Sequence, residues 1–160
     1  MAKIGLKLDF DGLLDAIKAA GGDVDKAAMQ AAKECASVVH NELVSECNAS
    51  GVPASVSGAV EHGVTRTGNR YEIEAGWKMG EYDPKNPSAG YKAVFLNYGT
   101  PKPRHTKKKY HVPAHGEWAT TTNRGQIVGR GFIGRAKDGA KPKVKKVQKE
   151  ALKKMLKELM

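Results

Sequence analysis

Aromatic residues are scarce in this chain: three Phe, two Trp and five Tyr among 160 residues, against 18 Gly. A length in the roughly 100–200-residue range suits one domain, and a folded chain this long buries about two-thirds of its unfolded surface. With so few large rings the expected core is modest and the connections long, so packing is expected to be completed against copies of itself or a neighbour. Long apolar runs are missing as well. No stretch approaches the roughly 18 apolar residues of a membrane span, so no membrane contact is expected. The opening Met1-Ala2-Lys3-Ile4-Gly5 lacks the continuous apolar run of a secretory signal. Cysteine is nearly absent, and Cys35 and Cys47 fall on one expected helix. At about 1.5 Å per residue that spacing separates them by roughly 18 Å, too far for a disulfide. Reduced thiols and no signal point to synthesis in the cytoplasm.

Acidic residues are missing from one part of the chain only. Residues 1–100 carry 10 basic and 13 acidic side chains, a balance of −3, whereas residues 101–160 carry 17 basic and 4 acidic, a balance of +13. Such asymmetry invites a nucleic acid or an acidic protein as partner.

The residues that are present trace a mixed order of elements. Ile4, Leu6 and Leu8 alternate with Lys3, Gly5 and Lys7, the period of a half-buried strand. Asp9 or Asp11 can cap a short helix through Leu13, Leu14 and Ile17, which Gly21-Gly22 ends. Asp23 can cap a longer helix reaching about Ala49. Its apolar positions, from Val24, Ala27, Ala28 and Ala31 to Leu43 and Cys47, recur every three or four residues. Its many alanines allow another element or subunit to approach closely.

Gly51 and Pro53 stop that helix, and from Val56 to about Met79 the pattern reads as β. Gly68-Asn69 suits a hairpin turn between Val60–Thr67 and a strand with Tyr71, Ile73 and Ala75 on one face. After the loop chemistry of Asp83–Pro87 comes Tyr91–Tyr98, a buried apolar element with a strand end at Tyr98, Gly99 and Thr100. Residues 101–131 show no sustained periodicity and read as a long basic loop, a length that is uncommon without a functional reason. A closing helix is expected from Pro142 to Met160, with Val144, Val147, Ala151, Met155 and Leu159 on one stripe. No internal repeat is evident. This order describes one α+β domain over 1–160, a small antiparallel sheet packed by a long helix and a C-terminal amphipathic helix.

Several constellations fall short of an active site. His105, His111 and His115 have spacings of six and four, with Glu117 the only close carboxylate, whereas zinc sites show tighter paired spacings. Surface histidines in a basic loop explain them. Cys35 and Cys47 share an apolar helix face without an activating base, which makes them small core fillers. The glycines at 125, 129, 131 and 134 lack the following Lys-Ser or Lys-Thr of a phosphate loop. Glu72 and Glu74 share the solvated face of a strand. Neither catalysis, metal nor cofactor is expected. The basic loop has more content: Arg104, Lys107, Lys108 and Lys109 stand close to Tyr110, His111 and Trp118. Basic residues interleaved with aromatics can hold phosphates while stacking on bases. An acidic protein neighbour explains the same residues.

The segment Tyr91–Thr100, ending Phe95-Leu96-Asn97-Tyr98-Gly99-Thr100, resembles a family pattern of tyrosine-alanine, an apolar stretch, then glutamate-phenylalanine-glycine-threonine. That pattern belongs to the HK-ninety-seven-type gene-product-ten family of phage tail components. Phe10-Asp11-Gly12-Leu13 before the first helix, the alanine-rich second helix, and Thr67-Gly68 ahead of a strand resemble the family in the same order. So does Phe132-Ile133-Gly134-Arg135-Ala136, where the family leads into its closing amphipathic helix. Asn97-Tyr98 stands where the family tends to have Glu-Phe, and 101–131 is longer than its usual link. The resemblance implies a structural virion protein of a long-tailed phage, a tail-completion or head–tail joining component forming a ring, sixfold, docked on the tail or portal. The partners implied are further copies of the chain and adjacent neck or tail proteins (connector, tail terminator, tail tube), and the location is the virion neck. The expected interface comprises Tyr98, Gly99, Thr100, Arg104, Lys107, Lys108, Lys109, Tyr110, Trp118 and Phe132. The alternative is a basic nucleic-acid-binding protein using residues 101–160, with Lys107, Lys108, Lys109 and Arg124 as contacts.

Overall fold

The protein is described by a computed structural model covering residues 2–8, 10, 12–68, 70–100, 109–112, 117–120 and 127–160, with 109–112 and 117–120 described as backbone. The elements in chain order are β1 (Lys3–Lys7), α1 (Leu13–Ala19), α2 (Val24–Ala49), α3 (Ala54–Ser57), β2 (Glu61–Thr67) and β3 (Arg70–Gly76). They continue as α4 (Ala89–Tyr98), β4 (Lys109–Val112), β5 (Glu117–Thr120) and α5 (Phe132–Leu159). The architecture is α+β.

The three-stranded antiparallel sheet has the order β1-β3-β2, with Leu6 opposite Ile73 and Val64 opposite Ile73 on the other side. Alternation in β3 buries Tyr71, Ile73 and Ala75 beneath α2, while Glu72 and Glu74 remain half-buried on the outer face. There they pair with Lys7 and Lys3 of β1. β2 and β3 are joined by the two residues Gly68-Asn69, and Gly68 takes a φ of 61°. The hairpin expected from the sequence is therefore present.

Helix α2 begins where Asp23 accepts a hydrogen bond from the Lys26 N–H at 3.0 Å. Its buried Ala28, Ala31, Ala32, Cys35 and Ala36 let α5 lie close against it, and Ala136, Ala140 and Val144 answer from α5. Large side chains fill the remaining volume: Ile4, Val39, Leu43, Ile73 and Phe132 are all buried. Trp77 stacks edge-on against Phe132 with ring centroids 6.2 Å apart. A smaller apolar cluster joins Ile17 of α1 to Ala27, Ala31, Ala151 and Leu152.

Four expectations are corrected. Val56 lies in the short helix α3, not in a strand; its carbonyl accepts the Trp77 indole N–H at 2.7 Å, which holds that turn against the core. The segment Tyr91–Tyr98 is helical, so Tyr98–Thr100 is a helix end. Its buried positions are Gly90, Ala93 and Asn97, a helical spacing hidden because only one of the three is a side chain counted as apolar. The closing helix begins at Phe132, ten residues before Pro142, which sits inside it. Proline removes one hydrogen bond to the carbonyl four residues back, here that of Asp138. Both residues are exposed, so water can serve that carbonyl while buried residues on either side hold the helix together. Finally, 101–131 contains structure: β4 and β5 pair antiparallel, with Tyr110 opposite Ala119 and His111 opposite Trp118. Asp9 and Asp11, the expected caps of α1, lie outside the described residues; the position before α1 is held by Gly12.

Candidate functional site

Helix α4 and helix α5 are joined through residues 99–131, and the two ends of that excursion are fastened together. Gly99 has φ 79° and ψ −175°, a conformation open essentially only to glycine. This lets the chain leave α4 and form an isolated antiparallel bridge with Val128. A β-carbon on Gly99 would stand 2.6 Å from the Ile127 carbonyl oxygen and 2.7 Å from the Gly129 nitrogen. One on Gly129 would stand 2.6 Å from the Tyr98 carbonyl carbon, so the two glycines pass each other in contact.

Next to them, the Thr100 N–H donates to the Ile127 carbonyl at 2.9 Å, and the Ile127 N–H donates back to Thr100 Oγ1 at 3.0 Å. The Arg130 and Gly131 N–H groups donate to the Leu96 and Asn97 carbonyls at 2.9 and 3.0 Å. Buried Asn97 then supplies what the start of α5 lacks. Gly131 has no side chain to cap that helix, and Asn97 Oδ1 accepts the Ile133 N–H at 2.8 Å instead. The latch is tied to α2 by two arginines. Arg130 Nη1 donates to the Ser50 and Gly51 carbonyls at 2.9 and 2.8 Å, serving the C-terminal end of α2. Arg135 reaches Glu46, Ser50 Oγ and the Arg130 carbonyl.

The Gly99-Thr100 pair is thus a structural clasp, and three apolar or aromatic side chains are exposed beside it. Tyr98 is 72% exposed, Val128 74% and Ile127 37%. Beyond the clasp, β4 and β5 pair with each other and with no strand of the larger sheet. Among the described residues they pack extensively against no other element. A single two-stranded hairpin is marginal in water.

Of the expected interface residues, Tyr98 is the one whose side chain is shown exposed. Gly99 and Thr100 belong to the clasp. Lys109 and Tyr110 lie on β4 and Trp118 on β5, whereas Arg104, Lys107, Lys108 and Arg124 lie outside the described residues, as do His105 and His115. Phe132 is corrected: its ring is 0% exposed, packed on Trp77, and cannot touch a partner. The sequence reading missed Asn97, Ile127, Val128 and Arg130. Only the glycines at 129 and 131 hinted that a backbone contact closes there.

Cys35 and Cys47 are buried in α2, and Cys35 Sγ lies 3.6 Å from the Val144 carbonyl oxygen. Burial, and secondarily the charges of Glu34 and Glu46, push both thiols up to about 11, which keeps them protonated and unreactive near neutral pH. No cluster of metal-ligating side chains occurs among the described residues, and no helix among them is long and apolar enough to cross a membrane. No known protein family, curated protein or solved structure matches the chain.

Proposed function

We propose that this protein is a structural joining component of a long-tailed phage, a tail-completion or head–tail neck subunit that works as a ring, sixfold, with the 101–126 arm reaching a neighbouring protein. The observation that carries this reading is the clasped arm. The chain closes on itself at Gly99, Thr100, Ile127 and Val128, with Tyr98 and Val128 exposed there, and between these ends β4 and β5 pair with each other in a stretch whose sequence, over 101–126, is basic. Such a hairpin gains stability only by packing on something else. Head-to-tail contacts of this kind close into rings when the rotation allows. The resemblance of Tyr91–Thr100 and Phe132–Ala136 to phage tail components supports the same reading.

Deleting residues 104–124 tests it. The clasp residues and the core stay in place, so the truncated chain is expected to fold and melt cooperatively while losing attachment of tails to heads. Native mass spectrometry of the intact chain, alone and mixed with tailless heads or free tails, is expected to give a discrete ring in at least one setting. Infectious particles assembled from the truncated chain would overturn the role given to the arm. A chain that stays monomeric with both particles would overturn the ring.

A further inference from the structure

Among the described residues, the outer edge of β1 pairs with no other strand. The Leu8 N–H donates to the Tyr71 carbonyl and the Trp77 N–H to the Ala2 carbonyl, each at 3.2 Å, which fixes the phase of the β1–β3 pairing. In an antiparallel pair alternate residues bond toward the neighbour. The N–H and C=O groups of Lys3, Gly5 and Lys7 therefore point away from β3, along the free edge. Between the end of β1 and helix α5 lies a trough with a cavity volume of about 550 Å³. Leu6, Leu8, Phe10, Val144 and Leu152 give it an apolar lining. Lys7 stands on the strand side, and Lys141, Lys145 and Lys149 on the helix side, four residues apart along α5.

Among the described residues no carboxylate lines this trough. Lys7 is only loosely engaged, 3.8 Å from Glu72, and Lys141 pairs with Asp138 on its own helix at 3.0 Å. Lys145 and Lys149 take part in no ion pair among the described residues.

We infer that the trough receives one extended acidic segment of a partner protein, added to β1 as a fourth strand. Main-chain bonds to Gly5 and Lys7 would give affinity, alternate apolar side chains would cover Leu6, Leu8 and Val144, and the carboxylates between them would meet the lysines on both sides. A strand edge, an apolar lining and the ammonium groups of Lys145 and Lys149, which have no ion pair among the described residues, coincide here, and an acidic peptide with alternating apolar residues answers all three. A nucleic-acid backbone satisfies the lysines and leaves the lining bare. The basic arm of a second copy is repelled by the lysines. This inference stands apart from the joining role and does not need it.

The probe is an eight-residue peptide of alternating valine and glutamate, fluorescein-labelled, titrated into the full-length chain and read by anisotropy. A block isomer with four valines followed by four glutamates is the comparison. The alternating peptide is expected to bind saturably and more tightly than the block isomer. The block isomer and the K145E/K149E variant are each expected to weaken binding by roughly tenfold or more. Residue-resolved amide exchange supplies the second readout: the peptide should slow exchange at Gly5 and Lys7, whose N–H groups the sheet leaves unused. Equal binding of the two isomers overturns the strand addition, as does unchanged exchange at Gly5 and Lys7. Indifference of the peptide to K145E/K149E, in a variant with the wild-type melting temperature, overturns the role of the lysines. A DNA duplex that displaces the peptide and binds more tightly than it overturns the choice of partner.

Discussion

Asn97→Ala removes one acceptor oxygen and strands one buried donor, the Ile133 N–H that Asn97 Oδ1 accepts at 2.8 Å. Ile133 is 7% exposed, so water has little room to replace the amide. Loss of a helix cap costs about 0.5–2 kcal/mol, and a buried donor left without a partner about 1–3 kcal/mol. The two figures describe the same bond and do not add, which leaves about 2 kcal/mol. The Gly131 N–H keeps its bond to the Asn97 carbonyl, so the chain path through the clasp survives. For a domain of this size each kcal/mol moves the melting temperature by roughly 2–4 °C, so the variant is expected to melt about 4–8 °C lower. Thermal melts followed by circular dichroism, with urea titrations alongside, measure this. Asn97→Asp serves as the matched control because it retains the acceptor and places negative charge at the start of α5, which the helix dipole favours. It is expected to lose less than the alanine variant. An alanine variant within about 0.5 kcal/mol of wild type, the scatter of ordinary surface changes, would refute the capping role.

Gly99→Ala meets both a conformation reserved for glycine and a β-carbon 2.6 Å from the Ile127 carbonyl oxygen; a loss of about 3 kcal/mol is expected, with faster amide exchange at Thr100 as its local signature. Pro142→Ala restores a backbone N–H inside α5 at an exposed position. It is expected to stabilise the chain by about 1–3 kcal/mol in urea titration, and no gain would mean that the helix is built around the proline. The buried thiols predict a pH effect whose sign follows from which state ionises first. Unfolded thiols ionise near their ordinary value of 9.0 and folded ones near about 11, so their contribution is full below pH 9 and is lost as pH rises toward 11. Compared with a C35A/C47A double variant, the wild-type chain should therefore lose relative stability between pH 8 and pH 10.5. A constant difference in urea midpoint would contradict that burial.

The local pattern of the sequence was enough for the elements whose signals are short-ranged. Alternation marked β1 and β3, Gly68-Asn69 marked their neighbouring hairpin, and the three-four spacing from Ala27 to Cys47 marked α2 together with its cap at Asp23. Charge partition and the helical lysine face of α5 were equally legible, because both are properties of order along the chain. Tertiary structure decided the rest. Pro142 reads locally as a helix start, but buried residues from Phe132 to Ala140 carry the helix through it. Asn97 reads as a polar break in an apolar run, yet it caps a helix 36 residues away in the chain. Gly99 and Thr100 stood out as a motif, but their purpose is visible only against Ile127 and Val128, which close the arm from its far end. The open edge of β1 and the lysines of α5 are likewise separated by most of the chain. Periodicity reports which face of an element is apolar; it cannot report which distant element faces it, because that is settled by which long-range contacts close the core.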